Sequence, residues 1–187
     1  MILANDLRRG QVINYNGEYH LVVDYHHHKP GKGNAIVRVK LKNLKKGNIF
    51  EYTFNPEEKF DDVPVFRRKA EFLYKDNDFY TFMDNETYEQ VQIHVEDLGD
   101  NVYYLKEGFQ VEIEYIDEKP IFVYPPTFIN LVVTETEPGL KGDTVSGGSK
   151  PAILETGLKV SVPLFIKVGD VLKIDTRDGS YVERASI

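Results

Sequence analysis

The sequence predicts an all-β protein assembled from three small barrels, and three observations carry that reading. Among 187 residues, 12 Tyr and 11 Phe make an aromatic-rich chain, and these residue types suit pleated, half-buried surfaces. Gly (14) and Pro (9) punctuate the whole length, leaving little room for long helices and placing a turn about every dozen residues. From Ala35 to Lys42 apolar residues recur at every second position, the period of a half-buried strand.

The elements follow in order. Gln11–Tyr15 and Glu18–Tyr25 flank Asn16-Gly17, a hairpin signal because a type I′ turn needs positive φ at both central residues. From Ala35 the chain alternates: Ala35, Val37, Val39 and Leu41 face one way, Ile36, Arg38, Lys40 and Lys42 the other. That is a half-buried strand with a basic outer face. Lys45-Lys46-Gly47 turns into a further strand at 48–54, and the polar, proline-bracketed stretch 55–64 reads as a linker. Strands at 65–75 and 79–83 flank Asp76-Asn77-Asp78. The run 94–107 is the one helix candidate, with Val95, Leu98, Val102 and Leu105 at helical spacing and Gly99 interrupting it. Phe109–Ile116 and Pro120–Val123 form a hairpin around Asp117-Glu118-Lys119, and Pro125-Pro126 closes the unit. The last unit opens with a strand at 128–136 and ends as strand, Arg177-Asp178-Gly179 turn, and strand. The second and third units share that ending, a faint internal repeat. The units are 1–63, 64–126 and 127–187.

Charge separates them. Residues 1–63 carry ten basic and eight acidic side chains, 64–126 six and fourteen, and 127–187 seven and eight. The net −7 therefore hides a basic segment: no acid occurs from Tyr25 through Phe50, while Lys29, Lys32, Arg38, Lys40, Lys42, Lys45 and Lys46 all do. Within it, Pro30-Gly31 at the centre of Lys29–Lys32 is the pair a type II turn demands, and Gly33 adds a residue without a side chain. A narrow hairpin tip with a long cation at its end is the outcome, and behind it Arg38, Lys40 and Lys42 form a ladder able to bind phosphates.

Other chemistries find little support. Zero cysteines exclude disulfide scaffolds, thiol nucleophiles and Cys-ligated metals. No stretch approaches the ~18 apolar residues of a membrane span, and the first residues lack a signal-peptide core, so a cytoplasmic protein without membrane attachment is expected. His26, His27 and His28 invite a metal, but on a strand His27 points away from the other two, so three ligands do not converge there and no metal site is assigned. Ser146 and Ser149 sit in a Gly/Ser-rich loop without a nucleophile motif. Glu112 and Glu114 read as a solvated strand face, and Gly139–Thr144 lacks the Walker ending. Neither a catalytic residue nor a cofactor is expected.

Lys29-Pro30-Gly31-Lys32-Gly33 with the Arg38/Lys40 strand resembles the tip of bacterial translation elongation factor P. So do Pro138–Thr144, Lys150-Pro151-Ala152, Thr156-Gly157, Val162–Phe165, Val168-Gly169-Asp170 and Asp175-Thr176-Arg177, along with Asn85–Gln90 and Gly99-Asp100-Asn101 in the middle. The likeness covers the whole chain in order. It implies an N-terminal SH3-like (KOW) barrel, an acidic OB-fold and a C-terminal OB-fold in an L-shaped arrangement imitating tRNA. It also implies a monomeric, nonenzymatic factor that binds the ribosome beside peptidyl-tRNA and promotes peptide bond formation at consecutive prolines. Lys32 would then reach the tRNA acceptor end, shaped by Lys29, Pro30, Gly31 and Gly33; in many members the tip residue carries an enzymatically added extension, which would make a lysine-modifying enzyme a partner. Gly142-Asp143-Thr144 matches the segment near exit-site mRNA, and Tyr181 and Arg184 match a pair facing the small subunit or tRNA. The alternatives are an elongation factor P-like paralogue, a free-standing OB-fold RNA-binding module and a small enzyme.

Overall fold

The computed structural model describes residues 1–29, 31, 33–139 and 148–185. They form three antiparallel sheets, and by backbone proximity the chain divides into two compact units, Met1–Arg68 with Ile113–Val123, and Lys69–Glu112 with Tyr124–Ile187. Among the described residues no helix is long and apolar enough to cross a membrane.

The first sheet comprises β1 (Ile2–Leu3), β2 (Val12–Tyr15), β3 (Glu18–His28), β4 (Ile36–Asn43), β5 (Ile49–Phe54) and β6 (Lys59–Asp62), in the order β1-β6-β2-β3-β4-β5. Asn16 (φ 53°) and Gly17 (φ 79°) make the left-handed pair that joins β2 to β3. The alternation along β4 holds: Val37, Val39 and Leu41 are buried in the core with Leu7, Ile13, Val22, Phe54 and Phe60, whereas Arg38 and Lys40 are exposed. The expected linker at 55–64 is wrong in its second half. β6 pairs with both β1 and β2, and Phe60 lies 4.8 Å from Phe54, ring centre to ring centre. The carboxylates around Phe60 mask a strand whose one aromatic is core and whose backbone covers edges that would otherwise stand open.

The second sheet is β7 (Phe66–Asp76), β8 (Phe79–Asp84), β9 (Gln90–His94), β10 (Gln110–Ile116) and β11 (Lys119–Tyr124), ordered β11-β10-β7-β8-β9. The helix candidate survives as one turn, α1 (Val95–Leu98). Gly99, at φ 54° and ψ −135°, stops it, and a 3-10 segment Gly99–Tyr104 follows. Glu114 also departs from expectation. It is 1% exposed, with Arg67 Nε 3.5 Å from its carboxylate. Ile113 and Glu114 are successive buried residues, so the strand is covered on both faces at this point and the guanidinium compensates a charge that burial alone would not tolerate.

The third sheet is β12 (Phe128–Thr136), β13 (Ser149–Leu154), β14 (Lys159–Pro163), β15 (Val171–Asp175) and β16 (Ser180–Arg184), ordered β14-β13-β12-β15-β16. Ser149 opens a strand rather than sitting in a loop; the Gly/Ser run before it and Pro151 within it disguise β13. Leu131, Ile166, Leu172 and Ile174 are fully buried here, and Tyr104 joins them from the 3-10 segment. Two further ties bind that segment to this sheet: Thr156 Oγ1 donates to the Tyr103 carbonyl (2.6 Å) and Lys106 pairs with Glu155 (3.0 Å).

Candidate nucleic-acid interface

The β3–β4 hairpin positions the basic residues. A register shift between Val22 and Asp24 sets the two strands so that Tyr25 and His27 face Val39 and Val37, while Asp24, His26 and His28 face Lys40, Arg38 and Ile36. Bulges of this kind re-aim every following side chain. The three histidines and Lys29 are exposed. His26 Nε2 is 3.3 Å from Asp24, His27 meets the Tyr25 ring edge-on at 5.6 Å, and the Arg8 guanidinium covers Tyr25 at 5.0 Å. Arg8, absent from the sequence-based candidates, thus braces the hairpin; an Arg pair in the connection between β1 and β2 carries no signal of it.

At the tip Gly33 has φ 116°, a conformation side chains resist. A Cβ at Gly31 would meet no atom within 4 Å among the described residues, so their packing does not require glycine there. Pro30 and Lys32 lie outside the described residues.

The cation ladder is less uniform than the sequence makes it. Arg38 is paired across the sheet with His26 and Thr53, but Lys40 sits between Asp24 and Glu51. Lys42 is half-buried. The acid-free run along the chain is therefore not an acid-free surface. At the other end of the same strands, a cavity of about 160 Å³ is lined by Tyr15, Glu18, His20, Asn43, Lys46 and Phe50. Its polar floor is engaged internally. Asn43 donates to Glu18 (2.7 Å) and accepts from the backbone of Lys45 and Lys46, and the Asn43 and Lys46 bonds hold the Glu18 carboxyl below its ordinary value.

In the third sheet, Tyr181 and Arg184 are three residues apart, yet they oppose Ile174 and Leu172, which share a face, because the β15–β16 register shifts between them. Tyr181 packs on the core. Arg184 is exposed on the outermost strand with its guanidinium 5.6 Å from the Phe165 ring. Gly142, Asp143 and Thr144 lie outside the described residues. Among the described residues no group of three or more His, Asp or Glu is placed to hold a metal ion.

Three family profiles match in succession: the elongation factor P KOW-like domain over residues 3–60, its OB domain over 65–123, and the elongation factor P C-terminal domain over 129–184. The elongation factor P of Caldanaerobacter subterraneus is 50% identical over 184 residues, spanning 98% of this chain and 100% of that one. That of Thermotoga maritima is 48% identical over 185 residues, 99% and 100% of the two chains. A solved structure titled eukaryotic translation initiation factor 5A from Methanococcus jannaschii aligns with 64% of this chain and 88% of its own at 26% identity and a TM-score of 0.37. The three domain matches, in this order and over nearly the whole chain, place it among translation factors rather than enzymes. The chain belongs to the elongation factor P family.

Proposed function

We propose that this translation factor binds the ribosome beside the peptidyl-tRNA and promotes peptide bond formation where consecutive prolines stall it. The observation that carries the reading is the β3–β4 finger, with Arg38 and Lys40 exposed on its outer face and open space around Gly31 at its tip. Lys32 delivers an ammonium to the tRNA acceptor end; Lys29, Pro30, Gly31 and Gly33 shape the loop that carries it. Arg38, Lys40 and Lys42 attract the tRNA backbone. In the last unit, Gly142, Asp143 and Thr144 face mRNA near the exit site, and Tyr181 and Arg184 face the small subunit or tRNA. We assign the units as 1–63, 64–126 and 127–187; each of the three sheets falls inside one of them. The protein acts in the cytoplasm as a monomer, and a lysine-modifying enzyme extends Lys32.

The chemistry asked of it is positioning. Proline is a poor acceptor because its ring restricts the nucleophile, and orienting reactants contributes about 7–11 kcal/mol in favourable cases. Nothing in that role requires an acid or a base from the factor.

The test is translation of a reporter containing a proline run. Lys32→Ala is expected to melt as the parent does yet lose most of the rescue. Full rescue by that variant sinks the tip assignment, and intact mass of the natively expressed chain reports whether Lys32 carries an extension.

A further inference from the structure

We infer that Lys150 is a positioning residue: its buried ammonium, together with a backbone contact at Gly139, clamps residues 137–139 against residues 164–166, at the root of the β12–β13 connection whose sequence contains the 140–147 segment. The inference rests on the reading above that Gly142, Asp143 and Thr144 within that segment face RNA.

Three pieces of chain meet at this ammonium. Lys150 is 8% exposed and lies on β13 opposite Val162. Its Nζ donates to the carbonyl of Ile166 (2.6 Å), in the connection after β14, and to the carbonyl of Glu137, the first residue beyond β12. Both acceptors belong to residues outside the strands, where no ladder partner is guaranteed. A three-proton donor can serve two carbonyls at once, which an apolar side chain cannot. Both partners are neutral oxygens. A buried charge held this way is a costly route to stability; what it adds is a defined geometry.

Gly139 supplies an independent contact with the same connection. A Cβ there would stand 2.3 Å from the Leu164 carbonyl oxygen and 2.9 Å from Leu164 Cβ. Backbone lies on backbone, so glycine is required by proximity. One residue before Glu137, Thr136 Oγ1 donates to the Pro151 carbonyl (3.0 Å). The exit from β12 is thus held to β13 by Thr136 and to the 164–166 segment by Gly139, with Lys150 joining all three.

The absence of cysteine from the sequence makes a chemical test clean. Lys150→Cys carries a single thiol, which aminoethylation in denaturant converts to a lysine-length ammonium and propylation to a neutral side chain of nearly the same shape. Hydrogen exchange of the full chain is then followed at Glu137, Gly139 and residues 164–166, Pro138 having no amide hydrogen. The propylated protein should exchange roughly tenfold faster there, and the aminoethylated one should return to the parent rate. Equal protection in the two overturns the clamp. Lys150→Met and Gly139→Ala, made without refolding, carry the same expectation. In proline-run translation, Lys150→Met and Asp143→Ala should each impair rescue, and the double variant should be no worse than the poorer single one. Impairment by Asp143→Ala with none from Lys150→Met overturns the positioning role. An inert Asp143→Ala refutes the RNA-facing reading instead, while hydrogen exchange still decides the clamp.

Discussion

Arg38 and Lys40 are neighbours on one exposed strand face, and a reading from charge alone makes them equivalent. The sheet separates them. Lys40 is flanked directly by Asp24 on β3 and Glu51 on β5, Arg38 by His26 and Thr53. Directly opposed side chains stand about 5 Å apart, where each carboxylate interacts with a cation by ~0.8 kcal/mol in water. Two of them offset most of what Lys40 gains from an approaching phosphate. Arg38 has no such offset in its pairs, and a charge-assisted contact is worth about 1.5–3 kcal/mol. Arg38→Ala should therefore weaken binding to ribosomes carrying peptidyl-tRNA by roughly ten- to a hundredfold. It should also reduce the slope of log K against log[KCl] by about 0.7–0.9. Lys40→Ala should change both by much less, and Arg38→Lys should keep the slope. The assay is equilibrium binding across a KCl series. A Lys40→Ala loss equal to that of Arg38→Ala, or slopes unmoved by either, refutes the argument.

Two further outcomes concern stability. Phe60→Ala should destabilise the first barrel by about 3–5 kcal/mol, as truncation of a buried aromatic does, and Phe60→Leu by less than about 1.5 kcal/mol; urea midpoints followed by circular dichroism check both, and an inert Phe60→Ala would restore the linker reading of 55–64. The Arg177 guanidinium, bonded to both Asp175 oxygens, holds that carboxyl below its ordinary 3.8. Its contribution to stability is complete above that value and is lost as pH falls through the lower folded-state pKa. Asp175→Asn should flatten this acid limb in denaturation measured from pH 6 downward, and an unchanged limb counts against the pairing.

How far each feature was legible in the sequence depends on the range of the interaction that creates it. Asn16-Gly17 and the alternation from Val37 to Leu41 are local. One follows from a backbone preference and the other from strand pleat, and both appear in the structure where the residues put them. β6 and β13 are stabilised by partners outside their own segments: Phe60 by Tyr15, 45 positions earlier, Lys150 by carbonyls at 137 and 166. Polar or proline-containing strands of this sort look like loops until their partners are known. Glu114 failed for the same reason. A carboxylate at an alternating position reads as solvated unless Arg67, 47 positions earlier in the chain, is seen beside it. The site shows both cases. The basic run was plain in composition, but which of its cations lie opposite acids is set by Asp24 and Glu51 across the sheet.

That distinction also says how the finger works mechanically. Val39 and Val37 are 0% and 1% exposed, so core packing braces the hairpin as far as the His27–Val37 pair. Arg8 over the Tyr25 ring, and His27 edge-on to it, extend the support on the opposing strand. Strand pairing ends one step later, at His28 and Ile36, and none of the described residues among 29–35 belongs to a strand. Arg38 thus lies on the braced portion, rigidly referenced to the barrel, while Lys32 falls in sequence among the seven residues between the last paired positions. A closed segment that short confines its ends at modest entropic cost. Under the proposed function, a phosphate contact at Arg38 would fix the register of the whole barrel on its partner. Recognition then falls to Arg38 and delivery to Lys32, so removing charge at Arg38 should act through affinity and removing it at Lys32 through the reaction.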